Sequence, residues 1–283
     1  MAVPLCFLNV IMYWYRNMNS VVKWNGIFSR TFDVTTGVRQ GGILSPQLFT
    51  IYVDDLLIAL RKSGVGCHII DKFIAAIMYA DDLALLAPTR SSLQKLLNIC
   101  YDYGIEWCIS YNPTKTKVMV FGRAYQPSSI TTCFPLYLNN TPIDFTDESK
   151  YLGVSVLAGN RFSTSSRKPL ASFYSTANTI LNVLHKPSER VLMHLLYANC
   201  VPKLTYACEI RSYSSREMTQ MDVALNDAIR KIFTFNRWES TRFLRRSFGY
   251  NSVTDIFNKR RESFLYKILC TRNPVLFFLH SLS

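Results

Sequence analysis

Asp81 and Asp82 are adjacent carboxylates flanked by two apolar runs, Phe73 to Tyr79 and Leu83 to Ala87. Each run has the length of a strand, and the acids fall where the chain would turn back on itself, so the stretch reads as a hairpin. Neighbouring carboxylates repel, and apolar flanks add a desolvation cost. A bound cation offsets both. Ligands that are all oxygen suit a hard ion such as Mg²⁺, which keeps waters and substrate phosphates in its shell. The plainer alternative is an exposed Asp-Asp turn that holds nothing.

The elements around the pair follow from local pattern. Residues 1–24 are aromatic-rich, with Tyr13, Trp14, Tyr15 and Trp24, and the chain opens directly on core-like sequence. Val21 to Gly26 gives a short strand and a turn at Asn25-Gly26, and Ile27 to Val34 a returning strand. Gly37 to Pro46 is a loop feeding a helix. Gly41 and Gly42 allow a ligand to approach the backbone, Ser45 is placed to cap the helix, and Pro46 suits its first position. Leu48, Phe49, Tyr52, Leu56 and Leu60 form one face of that helix. Asp54 and Asp55 lie on its polar flank and read as a solvated face. After the hairpin, Ser91 or Ser92 caps a helix carrying Leu93, Leu96, Leu97, Cys100 and Tyr101, which ends at Gly104. Trp107 to Tyr111 and Val118 to Phe121 read as strands, residues 124–149 as loop, and Lys150 to Val154 as a hairpin or plain edge strand.

From Leu170 the pattern becomes helical. One stripe runs through Leu170, Phe173, Tyr174, Ala177, Leu181 and Leu184, and another through Met221, Ala224, Leu225, Ala228, Ile229 and Ile232. Between them, Pro202 interrupts a helix near its end. The charge is lopsided: residues 1–150 hold 13 Lys and Arg against 11 Asp and Glu, and residues 151–283 hold 19 against 8. The second half, at +11 of the total +13, implies a polyanionic partner. Arg245, Arg246, Arg260 and Arg261 belong to its late basic run.

Three stretches in order carry a resemblance: Gly37-Val38-Arg39-Gln40-Gly41-Gly42-Ile43-Leu44-Ser45-Pro46, then Tyr79-Ala80-Asp81-Asp82, then Tyr151-Leu152-Gly153-Val154. Together they resemble the reverse transcriptases of non-LTR (LINE-type) retrotransposons. The resemblance implies an α+β fold: a partial palm of antiparallel strands and helices over residues 1–157, then a mostly helical basic thumb over 158–283. It implies RNA-directed DNA polymerase activity by two-metal nucleotidyl transfer, on an RNA template and DNA primer with deoxynucleoside triphosphates. Mg²⁺ is the implied ion, with Mn²⁺ as a substitute. By the same resemblance Asp81 and Asp82 are metal ligands, with Asp81 principal. Arg39, Gln40, Gly41, Gly42 and Tyr79 line the nucleotide and template pocket. Lys115, with Lys117 as second choice, donates a proton to the leaving pyrophosphate. Tyr151, Leu152 and Gly153 grip the primer, Gly153 admitting its backbone, and Arg245, Arg246, Arg260 and Arg261 hold the duplex. A non-catalytic, domesticated nucleic-acid-binding remnant is the alternative from another class.

One part of the pattern has no counterpart. The family places a further Asp on a strand upstream of the Gly-rich motif, and it and the hairpin Asp hold two ions about 3.5–4 Å apart. Asp33 is too close to Gly37 to be that residue. The chain therefore reads as the later part of a catalytic region, with fingers, first Asp and any endonuclease lying before Met1. The eight cysteines form no Cys-x-x-Cys pair, and the four histidines complete no zinc spacing. No apolar run reaches membrane-spanning length, and the opening lacks the marks of a signal peptide. The expectation is a soluble intracellular protein without a membrane partner, nuclear if it serves retrotransposition.

Overall fold

The computed structural model describes residues 3–35, 37–39, 41–122, 135–184, 187–211, 213–271, 273 and 275–276. They form two compact units of mixed helix and short strands, Met1–Ser110 and Tyr111–Ser283. This compact boundary lies upstream of the functional division expected at 157. The hairpin around Gly153 is tied to the later chain by the Tyr206 hydroxyl, which donates to the Leu152 carbonyl at 2.9 Å.

In the first unit, α1 (Leu5–Arg16) leads into two nested strand pairs. β1 (Asn19–Ser20) pairs with β4 (Phe32–Asp33), and β2 (Lys23–Trp24) with β3 (Ile27–Phe28), all antiparallel. Asn25 and Gly26 turn the inner pair at φ +48° and +81°, the doubly positive geometry that Asn-Gly favours. α2 (Ser45–Lys62) follows, then the hairpin β5 (His68–Ile69) with β6 (Lys72–Phe73), the hairpin β7 (Ala76–Tyr79) with β8 (Asp82–Leu85), and α3 (Arg90–Glu106).

α2 packs on α3 and β7. It buries Val53, Leu56 and Leu60, with Leu96, Leu97, Cys100 and Tyr103 of α3 also buried in this unit. The buried face of α2 is turned from the expected one, because Tyr52 lies at the edge. There its hydroxyl donates to the Trp107 carbonyl and its own carbonyl accepts from Tyr103. Asp54 and Asp55 are exposed, as a solvated face requires. Each fully buried leucine contributes roughly 2 kcal/mol of transfer free energy. α3 is capped by Thr89, whose hydroxyl accepts from the Ser92 amide at 3.1 Å, rather than by Ser91 or Ser92. It also runs past Gly104. Cys108 adopts φ +53° and the Ile109 amide reaches back to the Gly104 carbonyl at 2.8 Å, so the expected strand at Trp107 is a helix end instead.

In the second unit, β9 (Lys117–Val118), β10 (Leu136–Leu138) and β11 (Thr141–Phe145) form one sheet in the order β10-β11-β9, and β12 (Glu148–Tyr151), β13 (Val154–Leu157) and β14 (Ser163–Thr164) another. The helices are α4 (Arg167–Val183), α5 (Glu189–Leu195), a π-helical turn (Leu196–Cys200), α6 (Val201–Thr205), α7 (Ser215–Phe233), α8 (Arg242–Ser247) and α9 (Val253–Leu269). Both expected stripes hold core seams: Phe173 and Ala177 of α4 meet Met221, Ala224, Leu225, Ala228 and Ile229 of α7, while Tyr174 and Leu184 stay exposed. Pro202 does not stop its helix. It lacks the N–H that would close an α-turn, and the chain widens just ahead of it, where the Val201 amide donates to the Leu196 carbonyl.

Two capping boxes hold this unit together. Ser214 and Glu217 start α7, Ser252 and Asp255 start α9, and Asp222 of α7 accepts from the Val253 amide at 2.9 Å. The Ser252 hydroxyl holds the Asp255 carboxyl below the ordinary carboxylate range. Burial would push the Glu217 carboxyl up, but hydrogen bonds from Ser166 and Ser214 outweigh it and hold it down. Groups depressed on folding add stability above their unfolded values and lose it as pH falls through the folded ones. Acid unfolding of this unit, followed by circular dichroism, should therefore begin below the ordinary glutamate value of 4.5. Glu217→Gln keeps the cap and should flatten that acid limb; an unchanged limb would remove Glu217 from the account.

Candidate active site

The turn of the β7–β8 hairpin is Ala80-Asp81, closed by the Tyr79–Asp82 pair. Ala80 sits at φ +50°, where a Cβ costs about 1–2 kcal/mol. Strain of this kind is sustained by the rest of the hairpin. The Leu86 amide bonds the Ala75 carbonyl at 2.7 Å, the Cys67 amide bonds the Leu86 carbonyl at 3.0 Å, and Ala75 is fully buried. The root is therefore fixed in the core while the tip stands in solvent. Asp81, Asp82 and Tyr79 are all exposed. The apolar flanks do not cover the acids: Ile77 and Tyr79 on the adjoining strand are exposed along with them, so water reaches the tip.

The loop before α2 is organised differently from its sequence expectation. Leu44, not Ser45, holds the capping position, and Pro46 is the second helical residue. Ser45 is buried and its hydroxyl donates to the Arg39 carbonyl at 2.6 Å, which also accepts from the Gly42 amide at 3.1 Å. A Cβ on Gly42 would lie 2.7 Å from the Ser45 hydroxyl, so glycine and serine fit each other there. Gly41 sits at φ +78° with open space where a Cβ would be, and the Arg39 side chain is exposed. Gln40 lies outside the described residues. Ser45→Ala should cost about 1 kcal/mol, the net worth of one hydrogen bond, read as a lower urea midpoint with unchanged slope. No change would mean that the loop holds its shape without this bond.

The remaining expected site residues belong to the second unit. Lys115 is exposed in an Asx turn, its amide donating to Asn112 Oδ1 at 3.2 Å, whereas Lys117 pairs with Asp144 at 2.6 Å. Leu152 and Gly153 turn the β12–β13 hairpin at φ +45° and +81°. The space a Cβ would take on Gly153 is filled by the Tyr206 ring, 2.9 Å away, and the Tyr206 hydroxyl donates to the Leu152 carbonyl at 2.9 Å. Tyr206 had no signal in the sequence beyond following the Pro202 helix. Of the four arginines, Arg245 donates to Asn226, Arg260 to the Thr205 carbonyl and Arg261 to the Arg211 carbonyl, each at 2.9–3.1 Å, while Arg246 is exposed. Their hydrogen-bond partners are neutral; Arg260 also has the Glu209 carboxylate at 3.9 Å, and Arg245 and Arg246 lie near enough to Asp255 to help hold its carboxyl down.

Asp81 and Asp82 supply two hard oxygen groups on one turn. Among the described residues no cluster of three His, Cys, Asp or Glu side chains could hold a metal ion. Two solvent-facing carboxylates still suit Mg²⁺, which commonly takes one or two from the protein and fills its shell with water and phosphate oxygens. The residues present fit that ion. No helix among the described residues is long and apolar enough to cross a membrane.

Residues 3–156 match the family model described as reverse transcriptase (RNA-dependent DNA polymerase). The Pol polyprotein of the type-2 retrotransposable element R2DM of Drosophila melanogaster is 32% identical over 162 residues, 56% of this chain and 15% of that protein. The RNA-directed DNA polymerase from the mobile element jockey of Drosophila funebris is 25% identical over 239 residues, 81% of this chain and 25% of its own length. The Pol polyprotein of the element R2 of Nasonia vitripennis is 35% identical over 159 residues, 53% of this chain and 15% of that protein. The chain thus spans between 15% and 25% of the length of these relatives. On this match, and with the Gly-rich loop and the Asp81-Asp82 turn in place, the chain belongs to the reverse transcriptase family, in its non-LTR retrotransposon branch.

Proposed function

We propose that this chain carries a partial palm, residues 1–157, and a thumb-like helical region, 158–283, of an enzyme that copies RNA into DNA. The observation that carries the reading is the pair of exposed carboxylates at the tip of a hairpin with a buried root. Asp81 is the principal oxygen donor to Mg²⁺ or Mn²⁺, and Asp82 the auxiliary one. When bound, the ion supplies positive charge that favours the 3′-alkoxide and the departing phosphate oxygen. Arg39, Gln40, Gly41, Gly42 and Tyr79 place the incoming nucleotide on its template, Gly41 offering backbone with no side chain in the way. Lys115 donates the proton to the leaving pyrophosphate, a role that Lys117, tied to Asp144, is less able to serve. Tyr151, Leu152 and Gly153 bear on the primer strand. Gly153 itself is covered by Tyr206, so contact there would come through the Leu152-Gly153 backbone and the Tyr206 ring. Among the described residues no third carboxylate stands with Asp81 and Asp82, so a two-ion site would need one more oxygen donor to bring the primer hydroxyl into line.

The basic region is tested with the 283-residue chain and an RNA–DNA duplex. Its affinity should fall steeply with salt and depend little on sequence. Arg246→Gln, which removes an exposed charge, should lower the salt slope by about one phosphate contact. Joint replacement of Arg245, Arg246, Arg260 and Arg261 by Gln should flatten it further. An unchanged slope in both would mean that these arginines serve only to hold the helices. The polymerase reading is tested by RNA-templated primer extension with Mg²⁺ or Mn²⁺. A longer polypeptide with upstream sequence should extend and the isolated chain should not. Duplex binding without extension by either would favour the non-catalytic remnant.

A further inference from the structure

A cavity of about 700 Å³ opens in the second unit, between α5 and the end of α8. Arg190 and His194, one turn apart on α5, form its polar wall, and Ser247, Phe248 and Tyr250 form the other. The volume lies in the range of about 300–1,000 Å³ usual for small organic ligands. No carboxylate lines it, and Arg190 makes no ion pair or hydrogen bond among the described residues. Nothing in the catalytic reading uses any of these residues.

The aromatic wall is built, not incidental. α8 ends with Gly249 at φ +72°. The Gly249 amide bonds the Arg246 carbonyl at 3.0 Å, and the Tyr250 amide the Arg245 carbonyl at 2.8 Å, which is the Schellman arrangement. Tyr250 then stacks face to face on Tyr197 of the π-helical turn, centroids 3.9 Å apart and planes within 8°. The Tyr197 hydroxyl donates to the Asn251 carbonyl at 2.9 Å, and Phe248 packs on Phe233 behind it. The widened turn ahead of Pro202 thus carries a ring that holds the cavity wall in place. π-turns often mark functional positions for this kind of reason.

A wall carrying the Arg190 guanidinium and the His194 imidazole, facing a fixed aromatic wall, suits an anion joined to a flat ring. We propose that this cavity takes a single unpaired nucleotide of a nucleic-acid strand, its phosphate at Arg190 and His194 and its base against Phe248 and Tyr250. The choice of a strand as the source rests on the polymerase reading and on the +11 charge of residues 151–283. The site would hold a template or displaced strand where it is not paired, apart from the duplex contacts of the basic helices. A base on an aromatic ring is worth about 1–3 kcal/mol and tolerates any sequence.

The test uses the 283-residue chain and a short fluorescent oligo(dT), with an abasic oligomer of the same length and charge and free dTMP as comparisons. Oligo(dT) should bind about tenfold or more tightly than the abasic strand. Arg190→Gln with His194→Gln should weaken both strands. Phe248→Leu should weaken oligo(dT) about tenfold while leaving the abasic strand unchanged. Lys267→Gln, which removes an exposed charge elsewhere on the unit, should do much less than the Arg190 and His194 pair. Thermal unfolding of each variant checks the fold, and the comparison of the two strands on the unaltered chain needs no variant. Equal binding of base-bearing and abasic strands would overturn the proposal, as would a loss with Lys267→Gln as large as that of the pair. Tight dTMP binding with the same variant dependence would overturn the strand and assign a free nucleotide. Because neither duplex nor metal is present, failure here leaves duplex binding and extension standing, and their failure leaves this result readable.

Discussion

Gly66→Ala should remove about 3 kcal/mol or more from the first unit, a large part of the roughly 5–15 kcal/mol that keeps a domain folded. Gly66 precedes Cys67, whose amide is bonded to the root of the carboxylate hairpin. It sits at φ +110°, a backbone region closed to residues with a Cβ, and an added Cβ would lie 2.3 Å from that of Ala75. Two further atoms crowd the same point, the Leu86 carbonyl oxygen at 3.1 Å and Leu96 Cδ1 at 3.2 Å. None of these is the free end of a long side chain. Ala75 and Leu96 are fully buried, so relief requires moving the hairpin away from α3. Gly64→Ala is the matched control. Gly64 also has a positive φ, +65°, but open space around it, so only the conformational cost of about 1–2 kcal/mol applies. Urea unfolding followed by tryptophan fluorescence separates the two. Equal losses would mean that the tight fit at Ala75 does not support the hairpin.

How much of this was legible in the sequence depends on whether a residue's role is local. The hairpin that carries Asp81, the Asn25-Gly26 turn and the stripes on α4 and α7 all follow from period and turn chemistry, which act within a few residues. The span 135–149 was not legible, because Pro135 and Pro142 argue against strands. In the structure Pro142 lies opposite Tyr137, next to the closing pair Leu138–Thr141. Alternate pairs in an antiparallel ladder exchange no hydrogen bonds, so that proline lacks a donor where none is called on. β9 pairs only with Asp144 and Phe145, beyond it.

At the site, residue identity was readable and geometry was not. Ser45 before Pro46 reads as a cap, yet its hydroxyl turns back six residues to Arg39. That choice depends on Gly42 leaving room for it, a fact of three-dimensional packing. Gly153 reads as a place for close approach, and close approach occurs, but Tyr206 of the same unit makes it. The arginines of α8 and α9 read as a field of free charge. Three of them also serve as hydrogen-bond ties to other segments, Arg245 to the Asn226 side chain and Arg260 and Arg261 to the Thr205 and Arg211 carbonyls, partners that no nearby sequence pattern announces.

The second large effect concerns Asp81, and it is catalytic. Asp81 is exposed at the tip of a hairpin whose root alone is buried, so Asp81→Asn alters no packing and leaves the turn intact. What changes is charge: a neutral amide oxygen in place of the carboxylate proposed to hold the metal ion that would stabilise the transition state. Loss of a single preorganised electrostatic contact of this type lowers a rate about 10²–10³-fold, and loss of an ion with it lowers the rate further. Asp82→Asn, at the auxiliary position, should cost less. The most direct measurement is single-turnover, RNA-templated extension of a DNA primer by a longer polypeptide containing this chain, with and without Asp81→Asn. The expected result is at least a ~10³-fold slower extension, with duplex affinity unchanged and no extension by the 283-residue chain alone. Extension by the Asp81→Asn protein at close to the unaltered rate would contradict the assignment of the Asp81-Asp82 turn as the catalytic carboxylate pair.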